Sequence, residues 1–106
     1  EALFVECDVA NEENVKTLVQ KTVEAFGRLD ILVNNAGIGT YKSILDVTSE
    51  EWDRCLAVNL KGVFLCSKYS IPHMQAVGKG VIINMSSVHA HATANGVAPY
   101  CASKGA

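Results

Sequence analysis

The chain opens with a short apolar, β-rich run, Leu3-Phe4-Val5, continuing to Val9, that reads as a strand. Asn11 follows as an acceptor for the free amides of a helix start, and Val15, Leu18, Val19, Val23 and Phe26 fall at i, i+3, i+4 spacing along one face. Gly27 supplies the C-terminal stop, so this stretch predicts an amphipathic helix. Asp30-Ile31-Leu32-Val33-Asn34 reads as a second, buried strand, closed by Asn35-Ala36-Gly37, where glycine permits a tight turn. After a loop from Ile38 to Val47, Thr48-Ser49-Glu50-Glu51 has the form of a capping box. It starts a long helix in which Trp52, Leu56, Leu60, Val63, Phe64, Ser67, Ile71 and Met74 keep a helical period to about His73, near Pro72, before Gly78 and Gly80 break it. Val81-Ile82-Ile83-Asn84-Met85 predicts a third buried strand. A loop from Ser86 to Ala98 then leads to Pro99, suited to a first helical turn, and to Tyr100-Cys101-Ala102-Ser103-Lys104.

Strand and helix therefore alternate three times, which argues for an α/β fold with a parallel sheet and helices on its faces. No repeat, low-complexity tract or linker divides the 106 residues, so they read as part of one domain. Hydrophobic residues make up 49% and charged residues 19%, which is globular composition. Nine Lys plus Arg against eleven Asp plus Glu give a net charge of -2, with no basic run that could follow phosphates or an anionic membrane. Nucleic acid and membrane are thereby excluded as expected partners. No apolar stretch approaches the roughly 18 to 20 residues of a membrane span, and the first residues lack a secretory signal. Cys7, Cys55, Cys66 and Cys101 lie far apart without a C-x-x-C pair, which suits reduced thiols and a cytoplasmic location.

In open α/β sheets the ligand sits beyond the C-terminal ends of the strands. Asp8-Val9, Asn34-Asn35-Ala36-Gly37 and Ser86-Ser87 follow the three predicted strands, and their small or polar side chains suggest one shared cleft. Each alone would also serve as an ordinary turn or cap. Tyr100 and Lys104 are four residues apart at a helix start, so both project from one face about one turn apart. A fixed ammonium beside a phenol favours the phenolate, which makes a base. His89 and His91 form an H-x-H pattern with no third ligand evident, so no metal site is expected.

Taken in order, Asp8-Val9, Asn34-Asn35-Ala36-Gly37, Asn59 within the long helix, and Ser87 thirteen residues before Tyr100 in Y-x-x-x-K resemble the motifs of the short-chain dehydrogenase/reductase family across the whole chain. The resemblance implies a Rossmann-like three-layer α/β/α fold, about three strands and three helices of it lying here. It also implies an oxidoreductase that transfers hydride between NAD or NADP and an alcohol or ketone. On this resemblance Tyr100 is the general acid/base, Lys104 favours its ionised form and binds the nicotinamide ribose, and Ser87 hydrogen-bonds the substrate oxygen. Asn59 interrupts the long helix to hold a water that relays protons to Lys104. Asp8 contacts the adenine amino group with the Val9 backbone beside it, Asn34 lies against the adenine ribose, and the Ala36-Gly37 backbone approaches the cofactor. A homodimer or homotetramer built on the long helix is implied as well.

The family's glycine-rich turn, T-G-x-x-x-G-x-G, does not occur in these residues, and both ends read as cut through structure. The expectation is a central-to-catalytic segment of a longer oxidoreductase, inactive by itself. In the family's sheet two further strands lie between Leu3-Val9 and the other two. The alternatives are an inactive remnant, or a non-catalytic nucleotide-binding regulator of the same fold.

Overall fold

The computed structural model describes all 106 residues, Glu1 to Ala106. Helix α1 spans Glu12–Phe26, with the Asn11 side chain accepting from the Asn14 N–H at 3.0 Å. It ends at Gly27, whose φ of 77° is open to glycine and whose N–H donates to Val23 O. Strand β1 covers Ile31–Asn34 and strand β2 covers Val81–Asn84. They pair in parallel with Ile31 opposite Val81 and Asn34 opposite Asn84.

Between them the capping box forms as expected: Thr48 Oγ1 accepts from Glu51 N–H at 3.1 Å, and Glu51 Oε2 accepts from Thr48 N–H at 2.9 Å. The long helix is one rod in three parts, α2 over Ser49–Leu56, a π-helical turn over Ala57–Lys61 and α3 over Gly62–Ala76. It runs past Pro72 to Ala76, a little beyond the expected end near His73. Proline removes one N–H, but the last turn is held from the side, because Met74 is buried against Val19 and Leu29.

Two apolar clusters join the layers. Val15 of α1 meets Leu65 and Cys66 of α3, and Val19 meets Leu29 and Met74, with Leu32 and Ile82 of the strands packed against them. Both helices thus cover the same face of the sheet. The opposite face is bare, leaving Ile31 62%, Val33 53%, Val81 52% and Ile83 45% exposed. The strands expected to be buried on both faces are therefore covered on one only, since no helix of this chain reaches the other.

The first predicted strand, Leu3 to Val9, joins no ladder. A strand needs a hydrogen-bonded neighbour, and no other strand of the chain lies beside these residues. Instead Cys7 and Val9 pack on the Val15–Leu65–Cys66 cluster, while Phe4 stays 88% exposed. Val9 lies so close to α3 that a Cβ at Gly62 would come within 2.8 Å of its Cγ2, so only glycine fits there.

The C-terminal ends of both strands open into loops. One runs from Asn35 towards α2, and the other contains a short 3₁₀ turn, Val88–Ala90, before helix α4 at Ala98–Gly105, with Pro99 in its first turn. Helix α4 rests on α2 and the π turn. No helix is long and apolar enough to cross a membrane.

Candidate active site

The two strands end side by side at Asn34 and Asn84, and Asn34 Nδ2 donates to Asn84 Oδ1 at 2.9 Å. Asn34 is buried, and a longer bond of 3.5 Å to Ser67 Oγ completes its surroundings. Its side chain thus ties β1 to β2 and α3, while Asn35, Ala36 and Gly37 just beyond it are exposed.

Asn59 lies within the π turn, where Gly62 N–H donates five residues back to Ala57 O. Both Val58 and Asn59 are buried there, two residues that helices favour little. The Asn59 amide explains the cost: Oδ1 accepts from Ile38 N–H at 2.8 Å, and Nδ2 donates to Ile38 O at 2.8 Å and to Ser103 Oγ at 2.9 Å. Ser103 Oγ donates in turn to Tyr100 O at 2.7 Å. One side chain therefore binds the loop after β1 to the first turns of α4.

Lys104 extends its ammonium back under the sheet ends, where Nζ donates to Met85 O at 2.8 Å. The same Nζ lies 5.7 Å from the centre of the Tyr100 ring. Gly37 meets both groups: the point its Cβ would take is 3.5 Å from Asn59 Oδ1 and 3.5 Å from Lys104 Nζ. Asn59, Gly37 and Lys104 are thus brought together, beside a cavity of about 380 Å³ lined also by Met85, Ser86 and Ser103.

Tyr100 is half-buried, and its hydroxyl bonds to no group of the chain. The ring edge meets His89 at 5.7 Å with an interplanar angle of 80°. Ser87 Oγ accepts from the His89 N–H at 3.2 Å, which leaves its own proton free to donate. Ser87 and Tyr100 therefore flank His89, with no hydrogen bond between them. His89 Nδ1 is 3.3 Å from Thr93 Oγ1, which is 2.6 Å from Cys101 Sγ.

Asp8 sits apart from this group, at the start of α1. Its Oδ1 accepts from Ala10 N–H at 3.0 Å, and Arg54 of α2 donates to Oδ2 at 3.0 Å. The Ala10 bond first, then Arg54, holds its carboxyl below the usual aspartate range. Val9 is engaged with Gly62, as described above.

The sequence profile of the short chain dehydrogenase family matches residues 1–106. The chain belongs to the short chain dehydrogenase family. It is 48% identical over 102 residues to an uncharacterized oxidoreductase of Thermotoga maritima, covering 96% of this chain and 40% of that protein. It is 44% identical over 105 residues to cyclopentanol dehydrogenase of Comamonas sp., covering 99% of this chain and 42% of the relative. To meso-2,3-butanediol dehydrogenase of Serratia marcescens it is 38% identical over 105 residues, 99% of this chain and 41% of the other. The chain spans about two fifths of the length of these relatives.

Within this short chain dehydrogenase chain, sequence reasoning missed Ser103 and Ile38 as partners of Asn59, and Arg54 as the partner of Asp8. Ser103 carried a signal: with Pro99 it forms an i, i+4 pair, and both are buried on the inner side of α4. Ile38 acts only through its backbone, which no side-chain pattern reveals.

Four carboxyls titrate low. Bonds from Ala10 and Arg54 lower Asp8, bonds from Tyr69 and Lys68 lower Glu12, Arg28 lowers Asp30, and Lys42 with Thr48 lowers Glu51. The folded chain therefore binds fewer protons than the unfolded one in acid, so the stability these groups contribute is complete above about pH 5 and is lost as pH falls through their lowered values. The melting temperature is expected to fall steadily between about pH 5 and about pH 2; a flat profile across that window would refute the contribution of these pairs.

Proposed function

We propose that the protein transfers hydride between a nicotinamide cofactor, NAD or NADP, and an alcohol or its carbonyl partner, with Tyr100 as general acid/base. The observation that carries this reading is the Tyr100 hydroxyl, free of any bond within the chain, on a ring that lies 5.7 Å from the Lys104 ammonium. Family membership supports an oxidoreductase, and two relatives are named for alcohols, cyclopentanol and 2,3-butanediol, which supports an alcohol as the substrate class here.

The residues present fit a nicotinamide cofactor. Ala36 and Gly37 leave their backbone bare at the strand ends, and Lys104 spends one ammonium proton on Met85 O, leaving two donors for ribose hydroxyls. Asp8 would offer an ionised acceptor to the adenine amino group, with Val9 beside it, and Asn34, tied to Asn84, would hold the strand end that faces the adenine ribose. The cofactor, when bound, supplies the hydride acceptor or donor.

The chain supplies everything that concerns the proton. Tyr100 as phenolate takes the alcohol proton, or as phenol returns it to the carbonyl oxygen. Lys104 keeps a positive charge 5.7 Å from the Tyr100 ring. Ser87 donates its free O–H to the substrate oxygen, where negative charge develops. Asn59 holds the Ile38 loop and α4 in one frame, so that Gly37, Lys104 and Tyr100 keep their relative positions. Leu60, Phe64 and Ile71 remain exposed along one side of the long helix, which supports assembly as a homodimer or homotetramer.

The test is the full-length protein mixed with NAD⁺ or NADP⁺ and a panel of small secondary alcohols. Growth of reduced-nicotinamide absorbance is expected with one of the two cofactors. Cofactor binding without turnover of any alcohol, or of the matching ketones in reverse, would replace this reading with that of a nucleotide-binding regulator.

A further inference from the structure

A second cleft, of about 900 Å³, is lined by Ala98 and Cys101 of α4, whereas the Lys104 cavity is lined by Ser103, Lys104 and Gly105. One wall carries Tyr41, Lys42 and Ile44 from the loop after β1; the other carries Thr93, Val97 and Cys101, the last adjoining Tyr100 in sequence. A single hydrogen bond joins the two walls, from Lys42 N–H to Gly96 O at 3.0 Å.

Both ends of that bond are fixed. Gly96 has φ of 79°, a conformation that side-chain-bearing residues rarely adopt, and it precedes Tyr100 by four residues. Lys42 is anchored through its side chain, with Nζ donating to Glu51 Oε1 at 2.6 Å. Glu51 is in turn set by the capping box, its other oxygen taking the Thr48 N–H. Its carboxylate therefore has each oxygen occupied, one by a loop and one by a helix start. Helix α2, which carries Glu51, also packs on α4, which carries Tyr100. The loop wall is thereby registered to the same body as the reactive hydroxyl.

We propose that Lys42 is a positioning residue: clasped to Glu51 by its ammonium and to Gly96 by its N–H, it fixes the spacing of the two loops and so sets which alcohols fit beside Tyr100. The proposal rests on the hydride-transfer reading for the identity of the occupant, and on geometry alone for the clasp. An exposed ion pair by itself contributes little to stability. Its consequence here lies in where it holds a chain segment. Six of the eleven residues lining the cleft are hydrophobic and the only charged one, Lys42, has its ammonium bound to Glu51, which suits a neutral alcohol, and a looser wall admits bulkier ones.

The test uses the full-length protein and three variants. Lys42→Met removes the ammonium; Glu51→Gln removes the charge that anchors it while keeping a residue that serves the capping box; Lys42→Arg retains the anchor. For Lys42→Met and Glu51→Gln, the KM of a compact alcohol is expected to rise about three- to tenfold with kcat within about twofold. The preference for compact over bulky alcohols should narrow by a similar factor, and Lys42→Arg should stay near the parent on both counts. Amide hydrogen exchange, read in the same variants, should quicken at Lys42 and across residues 92–98 in the first two and not in the third.

Unchanged size preference and unchanged exchange in Lys42→Met would overturn the clasp. So would a uniform loss of kcat for all alcohols together with a lowered melting temperature, the mark of a merely structural pair. If the full-length protein turns over no alcohol, the hydride-transfer reading fails by itself. The exchange measurement then still decides the clasp, faster exchange supporting it and parental exchange refuting it.

Discussion

Tyr100→Phe is expected to lower kcat of the full-length protein by roughly 10²- to 10⁴-fold, the range a positioned general acid/base contributes, while the cofactor Kd stays within about twofold. The substitution is unusually clean here. The ring edge against His89 and the position beside Lys104 survive, because both involve the ring and not the oxygen. The hydroxyl makes no bond within the chain, so its removal leaves no group of the fold unpartnered, and stability should change by less than about 0.5 kcal/mol. A loss of kcat with intact folding and cofactor binding can then be assigned to the missing proton carrier. Parental kcat in this variant would remove Tyr100 from the chemistry.

Asn59→Ala should have the largest effect on stability of any single change at the site. Asn59 is 4% exposed, and its amide satisfies the Ile38 N–H, the Ile38 C=O and the Ser103 hydroxyl. Alanine leaves the Ile38 N–H and C=O without these bonds, while Ser103 Oγ keeps its bond to Tyr100 O, and each such loss costs about 1 to 3 kcal/mol, some of it recovered where water from the adjoining cavity reaches. A destabilisation of roughly 3 kcal/mol is expected by chemical denaturation. kcat should fall too, since the Ile38 loop and α4 lose their shared support. A loss below about 1 kcal/mol would mean that water replaces all three bonds and that Asn59 does not organise the site.

Much of this arrangement can be read from side-chain order alone. The Asn11 cap, the Gly27 stop and the Thr48–Glu51 box each rest on a local bond, and all three form where the residue types predict them. Asn59, a poor helix former between Val58 and Leu60, marks the place where the rod takes its π turn. What could not be read depends on neighbours distant in the chain. Leu3 to Val9 has the composition of a strand but lacks a ladder partner, and strands β1 and β2 have the composition of a two-sided core but meet helices on one face only, leaving Ile31 and Val81 bare on the other. Apolar composition reports what a segment can bury, not what arrives to cover it. The Lys42–Gly96 bond is hidden for a different reason: it is made by backbone atoms 54 residues apart, and only the glycine φ gives it a trace.

The pairing of β1 with β2 also has a kinetic side. Asn34 and Asn84 are 50 residues apart, so the first rung of the ladder closes a 50-residue loop, at an entropic cost of roughly 3.5 kcal/mol before any hydrogen bond of the ladder forms. Helices α1 to α3 depend on contacts within a turn and need no such closure. The sheet is therefore the slow, non-local part of folding. Until the rod from Ser49 to Ala76 has shortened the distance between them, both strands present unpaired edges to any other chain nearby, and the interval before closure is when aggregation competes with folding.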